Sequence, residues 1–122
     1  MKIGRSMIVV IAVAACAVTA LAPAAASARA CYPGEVCLYE NIDYGEPMTW
    51  WVGSRTDIIH LSARGFRDKT SSWINRSAYR WCVYDVIGSQ HILLWRMYPH
   101  SADDYVGRDR QDRADYARRD TC

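Results

Sequence analysis

Short runs of aromatic and β-branched residues recur along the chain after Cys31, and turn-forming residues separate them. Runs of this kind are typical of β-strands, whereas an amphipathic helix repeats its apolar positions every three to four residues. The predicted strands are residues 36–40, 48–52, 56–61, 79–86 and 91–98. Residues 41–47 and 87–90 separate two pairs of strands and are typical of hairpin connections. The pattern predicts an all-β protein.

The strand pattern occurs twice, about 45 residues apart. Residues 37–40 (Cys-Leu-Tyr-Glu) are matched by residues 82–85 (Cys-Val-Tyr-Asp), and Trp50 is matched by Trp95. A repeat of this length indicates two copies of one supersecondary unit. Two four-stranded units would form one β-sandwich, so we predict a first unit at about 31–77 and a second at about 78–122.

A fainter repeat, at an offset of 44, relates residues 67–72 to residues 111–116. The second copy lies in residues 103–119, which mix aspartate with arginine and have few apolar positions. We interpret this stretch as a solvated segment that ends in the last strand, near residues 116–118.

The first 30 residues follow a different pattern. Lys2 and Arg5 precede an apolar run over residues 7–21, and residues 26–28 and 28–30 both fit an A-x-A cleavage site. This arrangement is typical of a secretory signal peptide. The run has about 15 residues, whereas a membrane-spanning helix needs about 20. We predict a signal peptide at 1–30 and a secreted, extracellular protein; lipoprotein processing at Cys16 is the alternative.

Residues 31–122 carry 12 Lys and Arg against 13 Asp and Glu, because the other three basic residues lie before Cys31 and no acidic residue does. A net charge of −1 gives no electrostatic reason to expect nucleic acid or an anionic membrane as a partner. These 92 residues make one small domain, expected to be a monomer, whose core alone leaves its stability marginal.

Four cysteines of this domain can form disulfides in an oxidising compartment: Cys31, Cys37, Cys82 and Cys122. Four cysteines allow three pairings. We expect Cys31 to pair with Cys37, because the Tyr-Pro-Gly sequence between them is a turn signal. That leaves Cys82 to pair with Cys122.

The residues give little support for catalysis. His60, His91 and His100 lack the H-E-x-x-H spacing of zinc peptidases, and the sequence has no G-x-S-x-G motif and no Gly-rich phosphate loop. Glu40 and Asp85 occupy equivalent positions of the repeat, which a shared fold explains without acid–base chemistry. We predict that the chain is not an enzyme and requires no cofactor.

Two adjacent tryptophans, Trp50 and Trp51, lie in one predicted strand. Successive side chains of a strand point to opposite faces, so the two rings cannot both enter the core. We predict that one of them is exposed or covered by a loop. An exposed tryptophan on a secreted scaffold is a candidate contact residue.

Two motifs resemble a known family. Residues 39–45 (Tyr-Glu-Asn-Ile-Asp-Tyr-Gly) resemble the folded hairpin of βγ-crystallin Greek keys, and residues 68–72 (Asp-Lys-Thr-Ser-Ser) resemble their calcium loop. With the signal peptide and the cysteines, the chain is similar to small exported bacterial metallopeptidase inhibitors built on a βγ-crystallin-like sandwich. The resemblance implies a disulfide-stabilised sandwich of two Greek keys. It also implies inhibition of an extracellular peptidase, specifically a metallopeptidase.

The same resemblance implies one possible calcium site. Its ligands would be the Lys69 carbonyl, the Ser71 hydroxyl and the carbonyl near Asp85, with Asp68 ordering the loop. Calcium needs 6–8 oxygen ligands, but Arg67 stands where the motif has Asn or Asp. The alternative is that the loop side chains only hydrogen-bond the turn. We expect at most one weak site.

The second copy of the calcium loop departs further from the motif, because Asp115 and Tyr116 stand where two serines belong. Two other functions stay open. One is a calcium-binding crystallin-like structural or stress protein without a peptidase target. The other is an exported module that binds a cell-wall or carbohydrate ligand through an exposed tryptophan.

Overall fold

The computed structural model describes Ala12, residues 29–120 and Cys122. Most of the predicted signal peptide, including Cys16, therefore lies outside the described residues. Within the described part of the chain, no helix is long and apolar enough to cross a membrane.

The described residues form eight β-strands and one short 3-10 helix, Leu61–Arg64. The strands are β1 (Glu35–Tyr39), β2 (Met48–Val52), β3 (Ile58–His60), β4 (Ser72–Asn75), β5 (Trp81–Ile87), β6 (Gln90–Met97), β7 (Ser101–Asp103) and β8 (Tyr116–Arg119). Each predicted strand overlaps one of these. The two strands that the sequence analysis did not predict are β4 and β7.

The strands form two antiparallel four-stranded sheets. The first has the order β2-β1-β4-β7 and the second the order β3-β8-β5-β6. The two orders are related by the duplication. If β1–β4 are exchanged with β5–β8, the first order becomes β6-β5-β8-β3, which is the second order read backwards. Each half of the chain thus gives its third strand to the other sheet. The predicted two-Greek-key sandwich is confirmed, and the boundary between units near residue 77 stays a prediction.

The core lies between the two sheets. Val36 and Leu38 of β1 face Trp81 and Val83 of β5 across it, and all four side chains are fully buried. Trp51 packs edge-to-face on Trp81, with ring centres 5.2 Å apart. These side chains are large for a small domain, and burying them is its main source of stability.

β2 alternates as its sequence predicts. Trp51 is 3 % exposed and points into the core, whereas Trp50 is 39 % exposed and points away from it. The prediction that one of the two tryptophans is exposed is confirmed.

β1 is buried on both faces. Its outer face carries Cys37 and Tyr39, which pack with Cys31 and with the partly buried Tyr44 and Met48. The structure pairs Cys31 with Cys37, Cα atoms 6.0 Å apart, and so fixes the N-terminal segment over this face. Cys82 of β5 pairs with Cys122 near the C-terminus, Cα atoms 6.1 Å apart. These are the pairs that the sequence analysis expects.

The hairpin between β1 and β2 folds back as the crystallin motif implies. Tyr39 and Tyr44 meet edge-to-face with ring centres 5.7 Å apart. A Cβ atom on Gly45 would lie 2.8 Å from the Cβ of Asn41, closer than non-bonded atoms approach. Gly45 is therefore required by close packing, while Asp43 and Tyr44 adopt the positive φ angles of the turn.

In the second unit Ser89 replaces the second aromatic residue of the hairpin, and another residue provides the ring. Tyr116 stacks on Tyr84 with ring centres 4.9 Å apart and planes 12° apart. Tyr116 stands at the repeat position of Ser72, whose hydroxyl instead holds the first hairpin by donating to the Asn41 carbonyl at 2.6 Å. The two units therefore stabilise equivalent strands with different side chains.

Candidate functional site

Two loops cross between the sheets at the place of the predicted calcium motif. The first leads into β4 and the second into β8. The Asp68 N–H donates to the Ala114 carbonyl at 2.8 Å, and the Asp112 N–H donates to the Thr70 carbonyl at 3.0 Å. Asp68 and Asp112 are repeat-related, as are Thr70 and Ala114. The crossing therefore has the twofold pseudosymmetry of the sandwich.

Both aspartates at the start of this crossing adopt a left-handed backbone conformation, with φ 58° for Asp68 and for Asp112. Among residues other than glycine, Asn and Asp adopt this conformation most readily. Aspartate therefore suits both loop positions through its backbone preference.

Three carboxylates meet at one side of the crossing. Asp68, Asp85 and Asp115 each offer an oxygen, and these oxygens lie within 4.8 Å of one another. Asp85 and Asp115 are buried, whereas the Asp68 side chain is 52 % exposed. The sequence analysis selected Asp68 and Asp85 but missed Asp115, which it treated as a departure from the serine of the motif.

Two guanidinium groups enter the same cluster. Arg67 Nε donates to Asp115 Oδ1 at 2.7 Å and lies 3.7 Å from Asp68 Oδ2. Arg113 Nε donates to Asp85 Oδ2 at 3.0 Å. The second Asp115 oxygen accepts from the Val86 N–H at 2.6 Å. Both buried carboxylates are therefore neutralised by arginines of the two loops.

The cluster shifts the pKa values of two aspartates in opposite directions. Partial burial raises the pKa of the Asp68 carboxyl, and the charge of Asp115 raises it further. Burial also disfavours ionised Asp115, but the donors Val86 N–H and Arg67 outweigh it and lower the pKa of Asp115. Asp68 therefore accepts a proton before Asp115 as the pH falls.

A second candidate site is an exposed aromatic surface formed by Tyr32 and Trp50, here called the Tyr32–Trp50 surface. The Arg29 guanidinium carbon lies 3.9 Å from the centre of the Trp50 ring and 4.7 Å from that of Tyr32. Such contacts are cation–π interactions. Arg64 fixes β2 beside this surface by donating from Nη1 to the Trp50 carbonyl at 2.7 Å.

A shallow groove of about 570 Å³ adjoins Trp50 between β2 and β3, the edge strands of the two sheets. Its lining includes Trp51, Arg55, Ile59 and Arg64. The groove combines apolar walls with two arginines, which suits contact with another protein chain.

Comparison with known proteins identifies the family. The model of peptidase inhibitor family I36 matches residues 24–90, more than half of the chain. The chain belongs to peptidase inhibitor family I36. No curated protein sequence is significantly similar to this I36 chain.

Solved structures agree on the fold of the I36 chain. A βγ-crystallin from Ciona intestinalis superposes with a TM-score of 0.56 at 19 % identity, over 70 % of this chain and 99 % of that one. A βγ-crystallin domain from Clostridium beijerinckii has a TM-score of 0.54 at 20 % identity, over 69 % of this chain and 94 % of that one. A clostrillin double mutant in complex with nickel has a TM-score of 0.55 at 20 % identity, over 70 % of this chain and 95 % of that one. The expected resemblance to βγ-crystallin-like inhibitors is confirmed.

The calcium site that the crystallin fold implies does not fit the residues of this I36 chain as they stand. Calcium binds 6–8 oxygens, yet both oxygens of Asp115 and one of Asp85 already accept from Arg67, Val86 and Arg113. A cation bound here would have to compete with two guanidinium groups for these oxygens. The chain possesses a carboxylate cluster, and two of its own arginines neutralise the two buried carboxylates.

The backbone at the motif's serine position lies beside the hairpin of its own unit in both copies. The Ser71 N–H donates to the Tyr39 carbonyl at 2.8 Å, beside the first hairpin. At the repeat-related position, the Asp115 N–H donates to the Tyr84 carbonyl at 2.8 Å, beside Asp85. Asp68 and Asp85 are thus brought together with Asp115, whereas the Ser71 backbone belongs to the first hairpin. Lys69 is exposed in the first loop.

Proposed function

We propose that this chain is an exported inhibitor of an extracellular metallopeptidase. Membership of peptidase inhibitor family I36 carries the proposal. The signal-peptide pattern of residues 1–30 and the two disulfides support export to an oxidising compartment. Family membership and the crystallin fold also favour a role without catalysis of its own.

An inhibitor gains affinity when its contact surface is rigid before binding, because less conformational freedom is lost in the complex. The Tyr32–Trp50 surface meets this condition. Trp50 pairs with Cys37 in the β1–β2 register, and Cys37 is bonded to Cys31, the neighbour of Tyr32. One disulfide therefore connects the two segments that carry the exposed rings.

We propose that the Tyr32–Trp50 surface and its groove contact the peptidase. Tyr and Trp are the residues that most often dominate the binding energy of interfaces. Tyr32 is 53 % exposed and Trp50 is 39 % exposed, although their neighbours on β1 are buried. Elsewhere in the described residues, exposed apolar side chains at hairpins include Ile42 between β1 and β2 and Ile87 at the end of β5.

The class of target is tested by inhibition assays against a thermolysin-like metallopeptidase and against a serine peptidase. We expect saturable inhibition of the metallopeptidase and none of the serine peptidase. If only the serine peptidase is inhibited, the inhibitor function stands and the metallopeptidase target is overturned. If neither enzyme is inhibited, the proposal is overturned for both types of peptidase.

The contact surface is tested by Trp50→Ala and Tyr32→Ala, with Ile87→Ala as the matched exposed control. Truncating an aromatic residue at the centre of an interface typically costs about 2 kcal/mol or more. We therefore expect the Trp50 variant to weaken inhibition at least about thirtyfold. Full inhibition by this variant with loss in the Ile87 variant would move the contact to the β5–β6 hairpin.

The second candidate, a calcium-binding structural protein without a peptidase target, is supported by the carboxylate cluster of Asp68, Asp85 and Asp115. A ligand that binds only the folded state raises its melting temperature. A clear rise with calcium, together with no peptidase inhibition, would favour this function. We expect little rise, because Arg67 and Arg113 already neutralise the two buried carboxylates of the cluster.

A further inference from the structure

Arg29 is an integral part of the folded domain although it precedes the predicted boundary at Cys31. Its Nη2 donates to Glu35 Oε2 at 2.7 Å and its Nη1 to Glu35 Oε1 at 3.0 Å. This is the two-bond geometry in which guanidinium and carboxylate match best. The same group lies against the rings of Trp50 and Tyr32.

Glu35 depends on this contact because it is buried, with 5 % of its surface exposed on the outer face of β1. The Arg29 guanidinium and the Tyr32 N–H, at 2.8 Å, are the donors to its carboxylate among the described residues. A buried carboxylate that loses its cation is strongly destabilising. Removing Arg29 would leave the buried Glu35 carboxylate without its cation.

The backbone nitrogen of Arg29 also has an acidic partner. It donates to Glu46 Oε1 at 2.9 Å. If the bond between Ala28 and Arg29 were hydrolysed, this amide would become an α-ammonium group within hydrogen-bond distance of a carboxylate. A charged pair is stronger than the amide hydrogen bond that it would replace.

Cleavage after Ala30 has the opposite consequence. It would remove Arg29 and leave the Tyr32 N–H as the remaining donor to the Glu35 carboxylate among the described residues. A buried carboxylate without its cation is destabilising. Both A-x-A sites fit the sequence, but the folded domain favours the earlier one.

We propose that signal peptidase cleaves the Ala28–Arg29 bond and that the mature protein begins at Arg29. Water adds across the amide, leaving a carboxylate on Ala28 and an ammonium on Arg29. The new terminus then pairs with Glu46, while the Arg29 side chain neutralises Glu35 beneath the Tyr32–Trp50 surface. The boundary lies two residues before that of the predicted domain at 31–122. The inference rests on export and does not depend on inhibition.

The cleavage site is tested by expressing the full chain in an exporting bacterial host and measuring the intact mass and N-terminal sequence of the released protein. We expect the sequence Arg-Ala-Cys-Tyr-Pro. A protein that begins at Cys31 or elsewhere, or that is never processed, would overturn the proposal.

Two substitutions separate the competing sites, since each removes a small residue that only one site requires. Ala26→Leu alters the site that ends at Ala28, and Ala30→Leu alters the site that ends at Ala30. We expect Ala30→Leu to be processed at the Ala28–Arg29 bond, and Ala26→Leu to be processed several-fold less. The reverse result would place cleavage after Ala30.

The structural role of Arg29 is tested on released protein by Arg29→Gln, with Arg55→Gln, an exposed arginine, as control. We expect a lower melting temperature, or less released protein, for the Arg29 variant only. Glu46→Gln should lower the melting temperature as well, because it removes the partner of the new ammonium. If Arg29→Gln and Glu46→Gln both melt at the wild-type temperature, the structural part of the proposal is overturned.

Discussion

The Arg67 guanidinium lies 2.7 Å from the Asp115 carboxylate and joins the loop that enters β4 to the loop that enters β8. In the crystallin motif that the sequence resembles, Arg67 stands at an Asn or Asp position and Asp115 at a serine position. The two departures compensate each other, because the added positive charge meets the added negative charge across the pseudosymmetric crossing.

Restoring the motif at Arg67 should restore calcium sensitivity. In Arg67→Asn the carboxylates of Asp68 and Asp115 lose their guanidinium partner, so we expect a lower melting temperature in EDTA. Calcium should then raise the melting temperature more than it does in the wild type, because its oxygen ligands are less occupied.

Melting in EDTA and in millimolar calcium measures both effects, with Lys69→Asn on the same loop as the control. An equally large calcium-dependent rise in the wild-type protein would contradict the interpretation that arginines take the place of the cation.

Neutralising Asp68 should stabilise the protein near neutral pH. The pKa of Asp68 is raised in the folded state, so its ionisation opposes folding at neutral pH. This cost disappears as the pH falls through the raised pKa of the folded state and below the pKa that Asp68 has in the unfolded chain. We expect Asp68→Asn to melt higher than the wild type at about pH 7 and equally at about pH 3.

Asparagine keeps the left-handed backbone conformation, and Asp112→Asn, with the same φ of 58°, is the matched control. The opposite sign holds for Asp115, whose pKa is lowered. It stabilises the fold above its unfolded pKa, and this stabilisation is lost as the pH falls through the lowered value. A destabilised Asp68→Asn protein at neutral pH would refute the argument.

The two disulfides should contribute unequally to stability. The bond between Cys82 and Cys122 spans a sequence separation of 40, against 6 for Cys31 and Cys37. In the loop-entropy model the longer loop contributes about 4 kcal/mol and the shorter about 2 kcal/mol. Equilibrium unfolding of the two paired Cys→Ala variants measures the difference. A greater loss from the short loop would mean that local packing around Cys31 outweighs chain entropy.

Asn75 should be among the polar residues most sensitive to substitution. Its side chain is fully buried, and Nδ2 lies 2.8 Å from the Tyr79 carbonyl and 2.9 Å from the Met97 carbonyl of β6. Its Oδ1 accepts from the Ser77 hydroxyl at 2.7 Å. Asn75→Ala removes these hydrogen bonds and leaves the Ser77 hydroxyl with only the Tyr79 carbonyl as an acceptor, so we expect a cost of about 1–3 kcal/mol.

Denaturant unfolding measures this loss, and Ser77→Ala, which removes fewer of the contacts, is the milder comparison. Asn75 connects β4 in one sheet to the end of β6 in the other. Equal stability of Asn75→Ala and the wild type would show that water replaces the amide at no cost.

Some elements could not be predicted because their own residues carry a weak signal. β4 (Ser72–Asn75) and β7 (Ser101–Asp103) have only four and three residues, and they become strands because β4 pairs with β1 and β7 pairs with β4. Val106, Ala114 and Ala117 are buried within a stretch that was interpreted as solvated. Few apolar residues suffice there because the opposite sheet supplies most of the covering surface.

The sequence by itself determined the strands with strong patterns, the duplication, the cysteine pairs expected from a turn, and the exposure of one tryptophan beside a buried one. These features depend on local alternation and on spacing along the chain. The tertiary structure decided the exchange of third strands, the stacking of Tyr116 on Tyr84, and the pairing of Arg67 with Asp115 across 48 residues. Such contacts depend on the register and orientation of the two sheets, which no single segment of the sequence encodes.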